Sequence, residues 1–254
     1  MLGAIAGDII GSPFEFAPNK TKDFPLFRVH SNYTDDTILT VAVADALLHN
    51  LDLIDTLKRY TRKYPDGGYG GSYKKWAFSD SRDPYNSWGN GSAMRTSSIG
   101  YLFDKESDVL KNAGYCAQVT HNHPEGIRGA QAVSLCIYLA RIGASKNDIQ
   151  KEISKWFNYD LEKTIDEIRP SYYFDVSCQG SVPQSIIAFL ESKDFEDSIR
   201  LAVSLGGDSD TMGCITGGIS EAFYNQIPNE IISDTRKRLP MEFLKIIDEF
   251  YETI

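Results

Sequence analysis

Apolar residues along this chain recur mostly at intervals of three and four, the spacing that lines one face of an α-helix. In "LDLIDTLKRYTRKY" (51–64), Leu53, Ile54, Leu57 and Tyr60 fall on one side. Residues 35–49 are apolar nearly all round, including Ile38, Leu39, Val41, Val43 and Leu47, and predict a helix that runs through the interior. Residues 2–11 predict a short buried helix ended by Gly11-Ser12-Pro13. Further helices are predicted over 92–103, 106–120, 146–157, 159–166, 181–192, 194–204 and 210–226. The segment 123–143 has Pro124 in its first turn and Gly143 at its stop. A last helix, 229–253, is predicted to break at Pro240. Residues 65–91, rich in glycine, serine and aromatics, predict a long loop, and ordered loops of that length tend to be functional. No run alternates with period two, and the strand-like "SYYFDVS" (171–177) is too short to build a sheet. The expectation is an all-α fold in a single domain over residues 1–254.

Composition narrows the class. Hydrophobic residues make up 42% of the chain, enough to build a core. The formal charge of −9 disfavours general binding to nucleic acid or anionic membrane, while leaving room for a local phosphate pocket. Cys116, Cys136, Cys178 and Cys214 are far apart with no C-x-x-C, so buried free thiols are expected rather than zinc or a disulfide framework. The opening "MLGAIAGDIIGSPFEF" lacks a basic region and carries Asp8, so it does not read as a signal peptide. No apolar run is long enough to span a bilayer. A cytoplasmic setting and a monomer are the expectations.

The chemistry concentrates where charge interrupts apolar pattern. "NYTDDTILTVAVADALL" (32–48) puts Asp35 and Asp36 side by side at the start of a buried helix. Burying two unpaired carboxylates costs several kcal/mol each. The helix dipole returns only about 0.3–1 kcal/mol per charge. A second segment, "LGGDSDTMGCITGGISEAFYN" (205–225), repeats the design: Asp208, Asp210 and Thr211 open a helix of small apolar residues. In it Gly213 and Gly217 share a face that permits close backbone packing. Four converging carboxylates call for cations. Oxygen donors without histidine or cysteine indicate Mg²⁺, Mn²⁺ or Ca²⁺, and four suit two ions about 3.5–4 Å apart. Adjacent helical residues diverge by about 100°, so Asp35 and Asp36 are expected to serve one ion each. Asp45 lies on the far side of its helix and is not expected to be a ligand.

Other candidates cluster in the loops. "PDGGYGGSY" (65–73) and "NSWGNGSAMRTSS" (86–98) hold glycines where backbone can approach a ligand, and the second leads into a helix start suited to phosphate. Neither is a Walker A loop. Tyr69, Tyr85 and Trp88 offer rings for a base. In "THNHPEG" (120–126), His121 and His123 do not share a helical face, so a common metal is not expected. Each is a capping candidate, and His121 is also a candidate for a sugar or phosphate. Glu15, between Phe14 and Phe16, is either a solvated loop acid or a carboxylate with a raised pKa suited to proton transfer.

Taken in order, "GAIAGDIIGSPFEF", "YTDDT", "GGYG", "SWGNGSAMR", "AQVTH" and "GGDSDT" resemble the ADP-ribosylglycohydrolase family. That family includes the enzyme that removes ADP-ribose from dinitrogenase reductase and the animal ADP-ribosyl-acceptor hydrolases. The resemblance runs over nearly the whole chain and implies a single compact orthogonal helical domain with a binuclear Mg²⁺ or Mn²⁺ centre. It implies Thr34, Asp35, Asp36, Asp208, Asp210 and Thr211 as metal ligands. It sets Gly68, Tyr69, Gly70, Ser87, Trp88, Gly89 and Asn90 against the ADP part, and His121 against the distal ribose or phosphate. Glu15 matches an acidic position near the metals. The implied reaction is hydrolysis of the bond between ADP-ribose and an acceptor, an arginine or serine side chain or a small molecule, with Asp35, Asp36 or Glu15 taking the proton of the attacking water. Nucleic acid enters only as an ADP-ribosylated end. A binding module without catalysis is the alternative. An isoprenoid synthase fails because D-D-x-x-D is absent: Leu39 stands where the third aspartate would be.

Overall fold

In the computed structural model, which covers residues 1–254, the helices start and stop at caps and breakers. Helix α1 (Leu2–Gly11) passes into a 3-10 turn, Ser12–Phe14, at Pro13. Helix α2 (Asp35–Leu48) is opened by Thr34, and α3 (Leu53–Lys63) by Asp52, whose carboxylate accepts from the Asp55 N–H. Helix α4 (Gly71–Phe78) lies inside the predicted loop, where Tyr73, Trp76 and Ala77 give its turns an apolar face. The helix predicted over 92–103 is two pieces, α5 (Gly91–Met94) and α6 (Ser97–Leu102). They part at Arg95-Thr96, where the Thr96 hydroxyl donates back to the Ala93 carbonyl at 2.9 Å. Helices α7 (Glu106–Gln118), α8 (Pro124–Arg141) and α9 (Lys146–Phe157) lie close to their predicted spans.

The helix predicted over 159–166 does not form. Asn158 takes a left-handed conformation that ends α9, and only the capping box of Thr164 with Glu167 restarts a single turn, α10 (Ile165–Ile168). Helix α11 (Cys178–Glu191) begins three residues early because the Ser177 hydroxyl accepts from the Gly180 N–H at 2.9 Å. Then come α12 (Phe195–Val203), α13 (Ser209–Tyr224), α14 (Asn229–Arg236) and α15 (Met241–Thr253), the last two parted at Pro240 as expected. There is no strand; one isolated bridge joins Gly89 to Ser177. All four cysteines are buried and free. No helix is long and apolar enough to cross a membrane.

The centre of the fold is an antiparallel pair. Gly3, Gly7 and Gly11 recur every fourth residue on α1 and face Gly217, Gly213 and Ser209 of α13. A methyl on Gly7 would stand 1.9 Å from the Gly213 carbonyl oxygen. Backbone therefore touches backbone, and both helices are buried over almost their whole length. The main apolar core packs on one side of α1 through Ile5 and Ile9, and a smaller cluster of Leu2, Ala6 and Ile10 with Phe195 and Ile199 packs on the other. Helix α2, apolar apart from its aspartates and threonines, lies against this pair. The N-termini of α2 and α13 thereby meet beside Asp8 on α1.

Candidate active site

Asp8 is the only charge on α1 and is fully buried. It caps α2 from outside: its Oδ2 accepts from the backbone N–H groups of Thr34 at 3.0 Å and Thr37 at 3.1 Å, and from the Thr37 hydroxyl. Its Oδ1 accepts from the Thr34 hydroxyl at 2.8 Å. From α2, Asp36 Oδ2 receives the Thr211 hydroxyl of α13 at 3.2 Å, while Asp36 Oδ1 is buried with no partner. Asp208 accepts from Asn90 Nδ2 at 2.7 Å, and Asp210 from the Thr211 N–H at 2.9 Å.

These carboxylates form two triads that share Asp210. Asp8, Asp36 and Asp210 make one, and Glu15, Asp208 and Asp210 the other, with the donor oxygens of each triad within 4.8 Å of one another. Every ion pair of the protein is made by other carboxylates. Burial is the largest cause pushing all of them upward: Asp8 to about 6, Glu15 to about 7 with help from Asp208, and Asp36 and Asp210 well above the usual range with help from their neighbours. A compact set of oxygen donors, one of them orphaned, with no protein counter-charge, fits hard divalent cations.

Above the triads opens a cavity of about 590 Å³, a size suited to a small organic ligand. Gly68, Gly70, Ser87, Trp88, Gly89, Asn90 and His121 all line it, as do Glu15, Asp35, Asp36, Asp208, Asp210 and Thr211. Gly68 sits at φ 94°, a turn that lets the Gly67 carbonyl accept the first N–H of α2. A methyl on Gly70 or Gly71 would meet nothing within 4 Å, so no packing within the protein demands glycine there.

Several residues stand where the sequence pattern did not put them. Tyr69 turns into the core: its hydroxyl donates to the Tyr64 carbonyl at 2.9 Å and its ring stacks on Tyr73. Asn90 spends its side chain on Asp208. Asp35 belongs to neither triad; its carboxylate faces Gly68, 3.6 Å from where a Cβ would stand. Thr34 gives its hydroxyl to Asp8, with Asp36 Oδ2 farther off at 3.3 Å. As expected, Asp45 is no part of the cluster: Arg59, Tyr60 and His49 hold it away from the cavity. His123, a capping candidate from its place before the helix, does cap α8, its Nδ1 accepting from the Glu125 N–H.

Asp8 was missed as a site residue. The signal was present: a lone carboxylate among apolar residues with glycine every fourth position implies burial against other backbone, and a buried carboxylate needs partners.

The ADP-ribosylglycohydrolase family model matches residues 1–254. The chain belongs to the ADP-ribosylglycohydrolase family. Among curated proteins it is similar to the ADP-ribosylhydrolase ARH3 of Homo sapiens, 27% identical over 310 residues covering 90% of this chain and 85% of that one. The Danio rerio ARH3 is 27% identical over 88% of this chain and 81% of its own. An uncharacterized protein of Archaeoglobus fulgidus is 26% identical over 99% of this chain and 94% of its own. A solved structure titled "ADP-ribosylglycohydrolase-related protein complex" shares the fold, with a TM-score of 0.77 at 24% identity, covering 99% of this chain and 96% of that one. This family member is a glycosidic-bond hydrolase of ADP-ribose conjugates, and its acidic cluster is the part of the fold suited to metal.

Proposed function

We propose that this hydrolase releases ADP-ribose from mono-ADP-ribosylated arginine or serine side chains, with two Mg²⁺ or Mn²⁺ ions held by the two triads. The observation that carries the reading is the pair of carboxylate triads sharing Asp210 at the foot of a glycine- and aromatic-lined cavity. Asp8, Asp36 and Asp210 would hold one ion, and Glu15, Asp208 and Asp210 the other. When bound, such ions neutralise the cluster, fix ribose hydroxyls and polarise water.

The chain's own residues do the rest. Gly68, Gly70 and Gly71 leave backbone open along one wall for the nucleotide, and Ser87 to Gly91 supply the other. Trp88 is 46% exposed at the rim, available for a base. Asp35, which no triad uses, is left to take the proton of the attacking water and to return it to the acceptor oxygen or nitrogen as that bond breaks through an oxocarbenium-like transition state. Phe16 and Phe174, exposed with ring centroids 6.0 Å apart at the mouth, flank the path by which the acceptor leaves.

The test is hydrolysis of arginine- and serine-linked mono-ADP-ribosyl peptides in Mg²⁺, in Mn²⁺ and in EDTA, beside Asp210→Asn. We expect turnover that EDTA abolishes, and a loss in D210N beyond the roughly 10–100-fold that removal of a mere supporting partner costs. Turnover indifferent to EDTA and to D210N would sink the two-metal reading, and no release from either peptide would sink the acceptor assignment.

A further inference from the structure

Among the residues lining the cavity is one whose guanidinium has no carboxylate partner, Arg95. Arg95 is fully buried, the largest side chain to be so, and it forms no ion pair. Its Nε and Nη1 have no partner. Its Nη2 donates to the Cys116 carbonyl at 2.6 Å and to the Thr120 hydroxyl at 2.9 Å. Thr120 Oγ1 in turn lies 2.7 Å from His121 Nδ1, and Arg95 and His121 are the side chains it hydrogen-bonds. Arg95, Thr120 and His121 are all buried.

Proton counting fixes the direction of this chain. A guanidinium only donates, so Thr120 Oγ1 accepts from Arg95. The nearest acceptor for the one hydroxyl proton of Thr120 is then His121 Nδ1 at 2.7 Å; the Tyr85 hydroxyl also stands beside Thr120 but makes no hydrogen bond with it in this geometry. Were Nδ1 protonated, the Thr120 proton would be stranded in a buried site, at a cost of about 1–3 kcal/mol. Were the ring doubly protonated, a second cation would stand close to Arg95 with no anion between them. Burial first, and then the charge of Arg95, holds the imidazole pKa well below its usual value. The ring's other charged or titratable neighbour is Tyr85, whose ring centroid is 5.8 Å away. Nε2 is therefore the protonated nitrogen. It has no protein partner and faces the cavity past Gly89 and Gly91, where added Cβ atoms would come within 3.6 and 3.4 Å of it.

We infer that Arg95 and Thr120 are positioning residues that lock His121 in its neutral Nε2–H form, a fixed donor aimed at an anionic oxygen of a nucleoside diphosphate sugar. The identity of that ligand rests on the function proposed above; the tautomer does not. The unpaired guanidinium, in the same cavity wall, adds a positive field that favours a diphosphate over a neutral sugar.

Two readouts separate the relay from simple packing. In the ligand-free protein, long-range ¹H–¹⁵N correlation spectra of labelled His121 should show Nε2 protonated and Nδ1 bare. Thr120→Val keeps the shape and removes the relay, so it should leave a mixture of tautomers and weaken ADP-ribose binding, by calorimetry, about tenfold or more. Thr120→Ser keeps the hydroxyl and should restore both. An Nδ1–H signal in the wild type, or a T120V protein with unchanged tautomer and affinity, would overturn the inference. Wild-type protein that fails to bind ADP-ribose but shows the Nε2–H signature would sink the proposed function and leave the relay standing.

Discussion

His121 carries a pH signature that differs in sign from that of an ordinary paired histidine. In the unfolded chain an imidazole takes up a proton below about pH 6.5. In the fold, burial and the Arg95 charge keep it neutral to far lower pH. The unfolded state thus binds more protons, and stability is lost as the pH falls below the unfolded value. The slope is at most about 1.4 kcal/mol per pH unit. Replacing His121 with asparagine removes the titration. Between pH 7.5 and 5.0, wild-type unfolding free energy should therefore drop by about 2 kcal/mol more than that of H121N, read by urea denaturation. Equal pH slopes would show that the folded imidazole titrates normally. The single-residue signals in this chain were uneven. His121 was visible as a polar residue before a helix, but nothing in "AQVTH" announced that Thr120 links it to the arginine of "GNGSAMR", because the Arg95–Thr120 contact joins segments 25 residues apart in sequence.

The pairing of α1 with α13 governs the site at the level of elements. Their glycine faces let Asp8 and Asp210 approach through bare backbone contact, so a single methyl is costly. Gly7→Ala would drive a Cβ into the Gly213 carbonyl, with backbone on both sides and no side chain to move aside. We expect a loss of about 3 kcal/mol or more in thermal or denaturant unfolding. A larger loss of hydrolysis should follow, since separating the helices opens the Asp8–Asp36–Asp210 triad. A G7A protein as stable as the wild type would mean that the two helices are not in contact. Much of this level was legible. The spacing of Gly213 and Gly217 announced a packing face, and the two acidic helix starts announced a shared site. The helix predicted at 159–166 failed because Asn158 ends α9 in a left-handed turn and the capping box at Thr164 dictates a later start. The break at Arg95-Thr96 was hidden for a different reason: it follows from a buried contact network rather than from a local breaker. Helix α4 was masked by the glycines around it, although its aromatic residues supply the buried face that holds it.

For the whole molecule the decisive quantity is charge. A chain of formal charge −9 gathers four aspartates and a glutamate around one cavity, with Asp8 buried against them, beside the N-termini of two helices whose dipoles offset only part of the repulsion. Buried like charges without counter-ions weaken the folded state, so cation binding and folding are coupled. Adding Mn²⁺ or Mg²⁺ at a hundred times its dissociation constant should stabilise the protein by about 2.7 kcal/mol per independent site. In a chain of this size, that corresponds to a rise in melting temperature of roughly 5–11 °C. Asp210→Asn separates the two effects. It removes one buried negative charge from both triads, so in EDTA the variant should melt at or above the wild-type temperature. In excess metal it should lose most of the rise, because both ions would lose their shared ligand. The order of the two proteins would then reverse between EDTA and metal. A wild-type melting temperature indifferent to divalent cations would show that the carboxylates hold their charge by protonation alone, and Asp210 would then owe its place to the packing of α13 rather than to a metal.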